Sequence, residues 1–341
     1  MKILHIVNNI SKDSSQGIDK YSREVVGKIN NMDQKIVERG NSSTLINIFW
    51  EKVILPWRVL FSNVEICHYH TPELFGPLQF IFCKSSIVTI HDMLPYSKDN
   101  ERSKFYCNYY RLSCWFVGKF AKKIITPSEY SKKKIVELLD FNPKKIEVIP
   151  HGIDHNRTVQ NKTKKIKTIG YLGGFGKRKN LQLIVKLFER LVIKYPNLRL
   201  ILGGTGPTKE ETIYSLEEKK LLKKSIIYDE IAEKDWFKIL AGIDLFLMPS
   251  IGEGFGLPVL QSQACGIPVI SFANTSLTEL NADKRLLVEG GDEDFISRVN
   301  WVVGTDKVLL KLKKKAFYFS SGFSWEKCIL SHEKVYKSLK R

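Results

Sequence analysis

Short apolar runs alternate along almost the whole chain with segments whose apolar residues recur at helical spacing. A short apolar run between turn residues is typical of a strand that is buried on both faces. Strands that alternate with helices in this way favour parallel sheets covered by helices on both sides, the α/β class. Because 341 residues exceed what one hydrophobic core usually serves, we expect two such domains.

The two halves of the chain give similar predictions. In the first half we predict strands at Lys2–Val7, Leu45–Ile48, Ile66–Tyr69, Ser86–Ile90, Lys123–Thr126 and Ile146–Ile149, and helices at Gly17–Ile29, Lys104–Phe120 and Ser128–Leu139. In the second half the predicted strands are Lys167–Leu172, Leu198–Leu202, Ile226–Tyr228, Ile243–Met248 and Val269–Phe272. The predicted helices there are Leu181–Lys194, Lys209–Lys220, Trp236–Ala241 and Pro258–Ala264. Ser128 has the residue type and position of a helix N-cap.

The chain is strongly basic, with 54 Lys and Arg against 36 Asp and Glu, a formal net charge of +18. Nucleic acid, an anionic membrane surface and anionic substrates such as nucleotide sugars would each be attracted by this charge. No recognised nucleic-acid motif accompanies it, so we expect no nucleic-acid partner. Part of the excess is also accounted for by a lysine-rich background on solvated faces.

Location can be predicted from what the sequence does not contain. No apolar run reaches the roughly 18 residues of a membrane-spanning helix, and the N-terminal segment is unlike a signal peptide. The six cysteines lack metal-ligand spacing and lie mostly in apolar segments, which indicates reduced thiols. We expect a cytoplasmic protein, with the basic charge allowing a peripheral position on the inner face of the cell membrane.

The segment from Pro249 to Gln261 is the most specific signal. It follows an apolar run, contains three glycines, and leads into a helix that has Pro258 in its first turn. A strand, a glycine loop and a helix start bring main-chain N–H groups and the positive end of a helix dipole together, which suits a phosphate. Glu253 and Gln261 flank that point and would hold sugar hydroxyls. An ordinary turn of an α/β domain is the alternative.

From Glu253 to Ile270 the chain reads E-G-F-G-L-P-V-L-Q-S-Q-A-C-G-I-P-V-I. This resembles the signature E-G-F-G-L-P-x-L-E-A-x-A-C-G-x-P-V-I of the retaining nucleotide-sugar glycosyltransferases with the GT-B fold (glycosyltransferase family 4, also called glycosyl transferases group 1). The resemblance implies that Glu253 contacts the donor sugar. It also implies donor-binding roles for Gly254, Phe255, Gly256 and Leu257.

Gln261 departs from the family pattern, which has a second acid at this place that holds the nucleotide ribose. An amide keeps one acceptor oxygen but loses the charge and the bidentate grip on two hydroxyls. We therefore expect weaker or altered ribose binding.

The resemblance also implies the architecture: two doubly wound Rossmann-like domains that face each other across a cleft. We predict an N-terminal, acceptor-side domain over residues 1–153, a linker over 154–165, a nucleotide-sugar-binding domain over 166–322, and a terminal helix over 323–341 that packs back on the first domain. The segment between residues 27 and 66 is short for the family, so the first domain is expected to be trimmed.

A basic loop lies between the first strand and first helix of the second half. The run Tyr171 to Leu181 resembles the family element G-x-x-x-x-(K/R)-K-N-L, which implies that Lys179 binds the donor diphosphate with Arg178 beside it. Gly174, also assigned to the donor site, stands where relatives often have an arginine, so Arg178 or Lys177 is left to supply that charge. A basic, exposed helix start would give the same pattern.

Three further candidates are weaker signals that the resemblance strengthens. His91, in a T-x-H-D element, would contact the transferred sugar. Gly17, in a loop where Gln16 replaces the first of two family glycines, would approach the donor phosphate from the first domain. Gly204, in an L-x-G-x-G-P turn, would lie near the donor pocket, although the geometry of a tight turn also explains a glycine there.

The segment Asp292–Asp294 contains the Asp-x-Asp pattern that binds metal in the other large glycosyltransferase fold. It precedes a predicted helix, where aspartate acts as a cap. We therefore predict no metal and no other cofactor.

Taken together, the residues and the resemblance predict a retaining transfer of a hexose from a nucleotide-diphosphate sugar, with a weak preference for GDP-mannose. The acceptor would be a growing, lipid-linked glycan of a surface polysaccharide. The alternatives are a relative that binds nucleotide sugars without turnover, for which Gln261 and Gln16 speak, and a basic nucleic-acid-binding protein.

Overall fold

The computed structural model describes residues 1–10, 17–29, 32–40, 43–83, 85–97, 101–155 and 158–339. The chain divides into two compact units, each with its own sheet. Unit 1 comprises Met1–Gly152 together with Trp325–Arg341, and unit 2 comprises Ile153–Ser324.

Unit 1 is built on a parallel sheet whose described residues form six strands. The sheet order is β2-β1-β3-β4-β5-β6. The strands are β1 Lys2–Val7, β2 Asp33–Glu38, β3 Ile66–Tyr69, β4 Ser86–Thr89, β5 Lys123–Thr126 and β6 Ile146–Val148. The helices are α1 Gly17–Lys28, α2 Thr44–Phe49, α3 Leu55–Leu60, α4 Pro77–Phe82, α5 Lys104–Phe120, α6 Glu129–Leu139 and α14 Trp325–Ser338.

The strand predicted at Leu45–Ile48 is wrong, because these residues lie in α2. A π-helical segment, Trp50–Ile54, continues α2 directly into α3. A short apolar run cannot be told from part of a longer helix by its hydrophobic pattern alone. The real strand of this region, β2, reads Asp-Gln-Lys-Ile-Val-Glu and occupies the sheet edge, where charged residues are common.

Helix α14 belongs to unit 1, although most of the preceding chain lies in unit 2. It packs against α1 and the sheet through buried polar contacts. Tyr21 Oη lies 2.8 Å from His332 Nε2, and His68 Nδ1 lies 2.7 Å from Tyr336 Oη. These contacts attach the end of the chain to the unit in which it began.

Unit 2 repeats the doubly wound design, and its described residues also form six parallel strands. The sheet order is β12-β11-β10-β7-β8-β9. The strands are β7 Thr168–Leu172, β8 Arg199–Gly203, β9 Ser225–Tyr228, β10 Leu245–Met248, β11 Val269–Phe272 and β12 Leu287–Val288. The helices are α7 Leu181–Lys194, α8 Lys209–Glu218, α9 Glu233–Leu240, α10 Leu257–Ala264, α11 Leu277–Leu280, α12 Asp292–Val303 and α13 Asp306–Ser320.

The segment that leads into β7 lies against unit 2. Asn161 is buried, and its side-chain amide donates to the carbonyls of Ala241 (2.9 Å) and Ile243 (2.8 Å). The ammonium group of Lys313 donates to the Thr163 carbonyl at 2.7 Å. A stretch that the sequence marks as polar is therefore attached to unit 2 by its polar side chains.

The strand order of unit 2 reverses between β7 and β10, which are hydrogen-bonded neighbours. At such a switch point the loops that leave the two strands turn to opposite faces of the sheet and open a crevice at the carboxyl ends. Those loops are residues 173–180 after β7 and 249–256 after β10. They are the two loops that the sequence marked as candidates for donor binding.

Candidate active site

Glu253 lies in the loop between β10 and α10, and the end of this loop is held in an unusual backbone conformation. Gly256 is the N-cap of α10 with φ of +101°, a left-handed value that side-chain-bearing residues rarely adopt. A Cβ atom there would also lie 3.0 Å from Leu277 Cδ2. The glycine therefore permits the sharp turn that brings Glu253 next to the start of the helix.

The loop after β7 brings two cations to this carboxylate. The ammonium group of Lys179 is hydrogen-bonded to Glu253, and Arg178 Nη1 lies 3.2 Å from Glu253 Oε1. Arg178 also connects the two loops through its main chain and guanidinium. Its carbonyl accepts from Ile251 N (2.9 Å), and its Nη1 donates to the Gly252 carbonyl (2.7 Å). Arg178, and not the exposed Lys177, is thus the second cation beside Glu253.

The Glu253 carboxyl is ionised at neutral pH despite its burial. Burial alone raises the pKa of a carboxyl group, but Lys179 and Arg178 act in the opposite direction and the net pKa lies below its ordinary value. An ionised carboxylate is a pure hydrogen-bond acceptor. Glu253 can therefore accept from sugar hydroxyls.

The loop after β11 is hydrogen-bonded to the loop that carries Glu253. The sequence did not predict this contact. The buried hydroxyl of Ser276 lies within hydrogen-bonding distance of two carbonyls, at 3.2 Å from Glu253 O and 2.8 Å from Phe255 O. Asn274 donates its side-chain amide to Ser250 O at 3.2 Å. Small polar residues directly after a buried strand were the available sequence signal.

The positive end of the α10 dipole lies beside Glu253 and its two cations. Leu257 and Phe255 are buried in the core of unit 2, so any contact of theirs with a ligand is left to main-chain atoms. Gly254 is partly exposed in the loop before them. Gln261 is buried one turn into α10, with 7% of its surface exposed. The structure thus brings Glu253, the two cations and the α10 start together, and it places Gln261 on the same helix.

Gly174 and Gly204 lie in two adjacent loops that extend beyond the sheet, after β7 and β8. Gly173 N donates to Gly203 O, and Phe175 N donates to Thr205 O, both at 2.8 Å. A Cβ at Gly204, whose φ is +131°, would lie 1.4 Å from Gly173 O. A Cβ at Gly174 would meet Thr205 O at an ordinary 3.6 Å. Backbone packing thus requires glycine at Gly204 but not at Gly174.

The two candidate site residues of unit 1 are Gly17, at the start of α1, and His91, shortly after the end of β4. Gly17 is the exposed first residue of α1, whereas Gln16 lies outside the described residues. His91 follows β4 and is buried, and its Nε2 lies 3.0 Å from the His70 carbonyl, so Nε2 carries the proton. Its Nδ1 has no hydrogen-bond partner among the described residues. Burial lowers the pKa of His91 to about 4, so at neutral pH the ring is uncharged and Nδ1 is an acceptor.

His91 belongs to a cluster of buried histidines, which the sequence did not predict. All seven histidines lie in the described residues, and six of them are buried in unit 1: His5, His68, His70, His91, His151 and His332. Burial lowers the pKa of each below its ordinary value. His5 Nδ1 lies 3.0 Å from His70 Nε2, so one of these nitrogens donates a proton and the other accepts it. The cluster is a neutral hydrogen-bonded network.

The acidic segment at residues 292–294 has structural contacts. Asp294 accepts from the main-chain N–H of Gly291 at 3.0 Å, as the predicted helix cap requires. Glu293 pairs with Lys186 (3.0 Å) and Arg190 (2.5 Å) on α7. Ser128 is likewise confirmed as a cap, because its hydroxyl accepts from Ser131 N at 3.1 Å. These acids hold α12 in place.

Two further expectations from the sequence concern the redox state of the cysteines and membrane-spanning helices. The six cysteines all lie in the described part of the chain, and each is buried and outside any disulfide bond. Among the described helices, none combines the length and the apolar character that crossing a bilayer requires.

Two family models match the chain, and together they span most of it. The model of glycosyl transferases group 1 matches residues 152–318, and the model of glycosyltransferase family 4 matches residues 33–157. With two doubly wound parallel sheets, one carrying a carboxylate and two cations at its switch point, the chain is a glycosyltransferase of the GT-B class. It belongs to glycosyltransferase family 4.

Curated relatives agree with this assignment. The chain is 25% identical over 296 residues to the O-antigen chain mannosyltransferase B of Escherichia coli, a match that covers 80% of this chain and 74% of that protein. It is 30% identical over 207 residues to the O-antigen biosynthesis glycosyltransferase WclY of the same species, covering 58% and 57%. A match to the gpi3 subunit of the phosphatidylinositol N-acetylglucosaminyltransferase of Schizosaccharomyces pombe covers 62% of that longer chain.

Solved structures share the fold over nearly the whole chain. Sucrose-phosphate synthase from Thermosynechococcus elongatus matches with a TM-score of 0.83 at 16% identity, covering 99% of this chain and 98% of that one. Anabaena HepE in complex with UDP and glucose matches with a TM-score of 0.77 at 13% identity, covering 99% and 100%. At these identities the likeness establishes the GT-B fold.

Proposed function

We propose that the protein transfers a hexose from a nucleotide-diphosphate sugar, with retention of the anomeric configuration, to a growing glycan. The observation that carries this proposal is the grouping of Glu253, Lys179 and Arg178 beside the start of α10. An acceptor-only carboxylate suits sugar hydroxyls, and two cations with a helix N-terminus suit a diphosphate. HepE, a protein of the same fold, is known in complex with UDP and glucose.

In this proposal the bond from the sugar C1 to the diphosphate oxygen breaks as the acceptor hydroxyl oxygen bonds to C1, and the hydroxyl proton passes to the departing diphosphate. Lys179 and Arg178 stabilise the negative charge that develops on the departing diphosphate, a contribution of about 3–4 kcal/mol for one well-placed group. Glu253 orients the sugar through its hydroxyls. His91, neutral and with Nδ1 as an acceptor, contacts the transferred sugar. The cations supply the charge that a metal would otherwise provide, so we propose a metal-independent reaction.

For the donor we propose GDP-mannose. The similarity to an O-antigen chain mannosyltransferase favours it. For the acceptor we propose a lipid-linked glycan of a surface polysaccharide, since relatives are named for O-antigen biosynthesis. A cytoplasmic location is proposed with it, supported by the six buried cysteines, none of which forms a disulfide bond.

A transfer assay tests the proposal. Purified protein is incubated with GDP-mannose, UDP-glucose, UDP-galactose or UDP-N-acetylglucosamine and with short O-antigen-type glycans on a lipid or alkyl carrier. We expect one donor to be consumed, with an α-linked product in the NMR spectrum and no effect of a chelator. Glu253→Gln should lower the rate of product formation by roughly a hundredfold or more while leaving nucleotide diphosphate binding in place. Donor binding without turnover on any acceptor would instead favour an inactive relative, as Gln261 suggests.

A further inference from the structure

Three neighbouring helical segments of unit 1 expose large apolar side chains. These are the continuous helix from α2 to α3, then α4, and then α5, and α4 packs against both α3 and α5. We call this surface the apolar face. Soluble proteins seldom expose a contiguous patch of such side chains unless it binds something.

The first helix carries the clearest pattern on this face. Phe49, Val53, Trp57 and Phe61 recur at every fourth position and are 57%, 45%, 58% and 77% exposed. The opposite side of the same helix is buried, so the outward stripe is additional to the side that packs on the core. A soluble helix normally has polar residues on its outward side.

The π-helical segment at Trp50–Ile54 helps to keep this stripe aligned. Pro56 has no N–H, so the hydrogen bond that an α-helix would make to residue 52 is missing, and a wider turn precedes it. In a regular α-helix a four-residue step drifts sideways, because a turn has 3.6 residues. A wider turn reduces that drift. The stripe therefore runs along the helix instead of winding around it.

The other two segments extend the same surface. Gln79 on α4 donates to the Glu51 carbonyl at 2.6 Å, which fixes α4 beside the first helix, and Ile81 is 59% exposed. On α5 the hydroxyl of Tyr109 is hydrogen-bonded to the Glu51 carboxylate. Trp115 is 48% exposed, and the ammonium of Lys119 lies 4.4 Å from its ring centroid. Tryptophan combines an apolar ring with a polar N–H and is enriched at membrane–water interfaces.

The exposed charges of the chain segment that carries the apolar face are mostly positive. Within the described residues of 43–122 the exposed acids are Glu65 and Glu101. The exposed basic residues of the same range are Arg58, Arg102, Lys104, Arg111, Lys119 and Lys122. Apolar and aromatic side chains bordered by cations are the pattern of a surface that lies in the interface of an anionic bilayer.

We propose that the apolar face docks unit 1 onto a membrane that contains anionic lipid, with Phe49, Trp57 and Phe61 in the headgroup region. The cations attract the lipid phosphates, and the apolar stripe enters the boundary of the acyl chains. The protein lies on the bilayer, since none of its described helices could cross one. This inference does not rest on the transfer reaction, because it needs neither donor nor acceptor.

Co-sedimentation of the full chain with extruded vesicles, in the absence of any nucleotide sugar or glycan, tests the proposal. We expect binding to vesicles of phosphatidylcholine with phosphatidylglycerol, and weaker binding when phosphatidylglycerol is left out or salt is raised. The variant Phe49→Ser/Trp57→Ser/Phe61→Ser should bind at least about tenfold more weakly, because each ring removes a large apolar contribution. Ile193→Ser/Tyr318→Ser, which changes exposed apolar residues of unit 2, is the matched control and should bind like the parent.

A variant with two charge reversals distinguishes electrostatic attraction to the membrane from insertion of the apolar side chains. Arg58→Glu/Lys119→Glu should weaken binding to phosphatidylglycerol vesicles by about tenfold or more, since two attractions to the anionic surface become repulsions. Lys311→Glu/Lys314→Glu on α13 alters net charge equally and should have a smaller effect. Circular dichroism and thermal unfolding of every variant establish that it is folded.

Three results would overturn the proposal. The parent protein could fail to bind anionic vesicles, or the folded triple variant could bind as the parent does. Analytical ultracentrifugation could also show a parent dimer that the triple variant converts to monomer, with no vesicle binding by either. The last result would assign the apolar face to a second copy of the chain.

Discussion

The ammonium group of Lys179 is hydrogen-bonded to the carboxylate of Glu253, a residue 74 positions later in the chain. Both side chains are buried, with 10% and 8% of their surfaces exposed. The pair forms because the loops after β7 and β10 meet where the strand order of unit 2 reverses. A diphosphate that binds here offers Lys179 a second anionic partner and frees Glu253 oxygens for sugar hydroxyls.

Replacement of Glu253 by glutamine should remove activity while retaining the shape of the side chain. We expect kcat to fall by roughly a hundredfold or more, because a preorganised contact to the reacting sugar is lost. The free energy of unfolding should fall by about 3 kcal/mol, because a buried cation loses its counter-charge. Turnover and urea unfolding measure the two effects. Glu293→Gln, which breaks an exposed pair with α7, is the control and should leave both unchanged.

Ser276 should act as a positioning residue through its contacts with the Glu253 loop. Ser276→Ala leaves two buried carbonyls without their hydroxyl donor, which should cost about 1–3 kcal/mol of stability. If the loop then loosens, kcat should fall while the affinity for the nucleoside diphosphate changes little. Thr278→Ala, an exposed hydroxyl in the same segment, is the control. A loss of stability with unchanged kcat would show that the contacts of Ser276 with the Glu253 loop have a structural role alone.

Two neighbouring glycines should respond differently to alanine. Gly204→Ala should prevent unit 2 from folding, because its Cβ would lie 1.4 Å from a carbonyl oxygen at a left-handed φ. Gly174→Ala should fold normally, since its Cβ meets its nearest neighbour at 3.6 Å. If Gly174 lies against the donor, the folded variant should bind nucleoside diphosphates more weakly. Calorimetric titration checks this, and unchanged affinity would remove Gly174 from the donor site.

Unit 1 should be more sensitive to acid than unit 2. Burial lowers the pKa of His5 to about 3 and of His91 and His332 to about 4, against 6.5 for exposed histidine. Below about pH 6.5 the unfolded chain takes up these protons while the folded unit does not, so stability is present above that pH and falls as pH decreases toward 4. Each such histidine contributes up to ~1.4 kcal/mol per pH unit.

Amide hydrogen exchange at pH 7.5 and at pH 5.5, corrected for the intrinsic exchange rate, distinguishes the units. Peptides from the sheet of unit 1 and from α14 should lose protection at the lower pH, whereas peptides from the sheet of unit 2 should lose less. Equal losses in both units would contradict the role assigned to the histidine cluster.

The sequence predicted those parts of the site that lie within one continuous segment of the chain. The loop at Glu253 and the basic loop at Lys179 each follow a strand and open a helix, so pattern and resemblance located both. Their pairing follows from the strand order, which no single segment encodes. Ser276 and the histidine cluster could not be predicted, because their partners are distant in sequence and their residue types are common in turns and strands.

The errors in the fold have a similar origin. The Leu45–Ile48 run is apolar although no described side chain of α2 is buried, so the usual contrast between an apolar buried side and a polar exposed side of a helix is absent. Strand β2 was not predicted because an edge strand with alternating charged residues resembles a polar loop. The first of these errors lies in a helix that carries the apolar face.

Ligand binding to unit 2 tests the central claim most directly. Thermal unfolding is followed with GDP, UDP and their mannose, glucose, galactose and N-acetylglucosamine sugars, with and without chelator, for the parent, Lys179→Met and Lys177→Met. We predict that one nucleoside diphosphate and its sugar raise the Tm of the parent and of Lys177→Met, with or without chelator, and that Lys179→Met loses this shift. No shift in the parent with any of these ligands, or an equal shift in Lys179→Met, would contradict the assignment of the donor site.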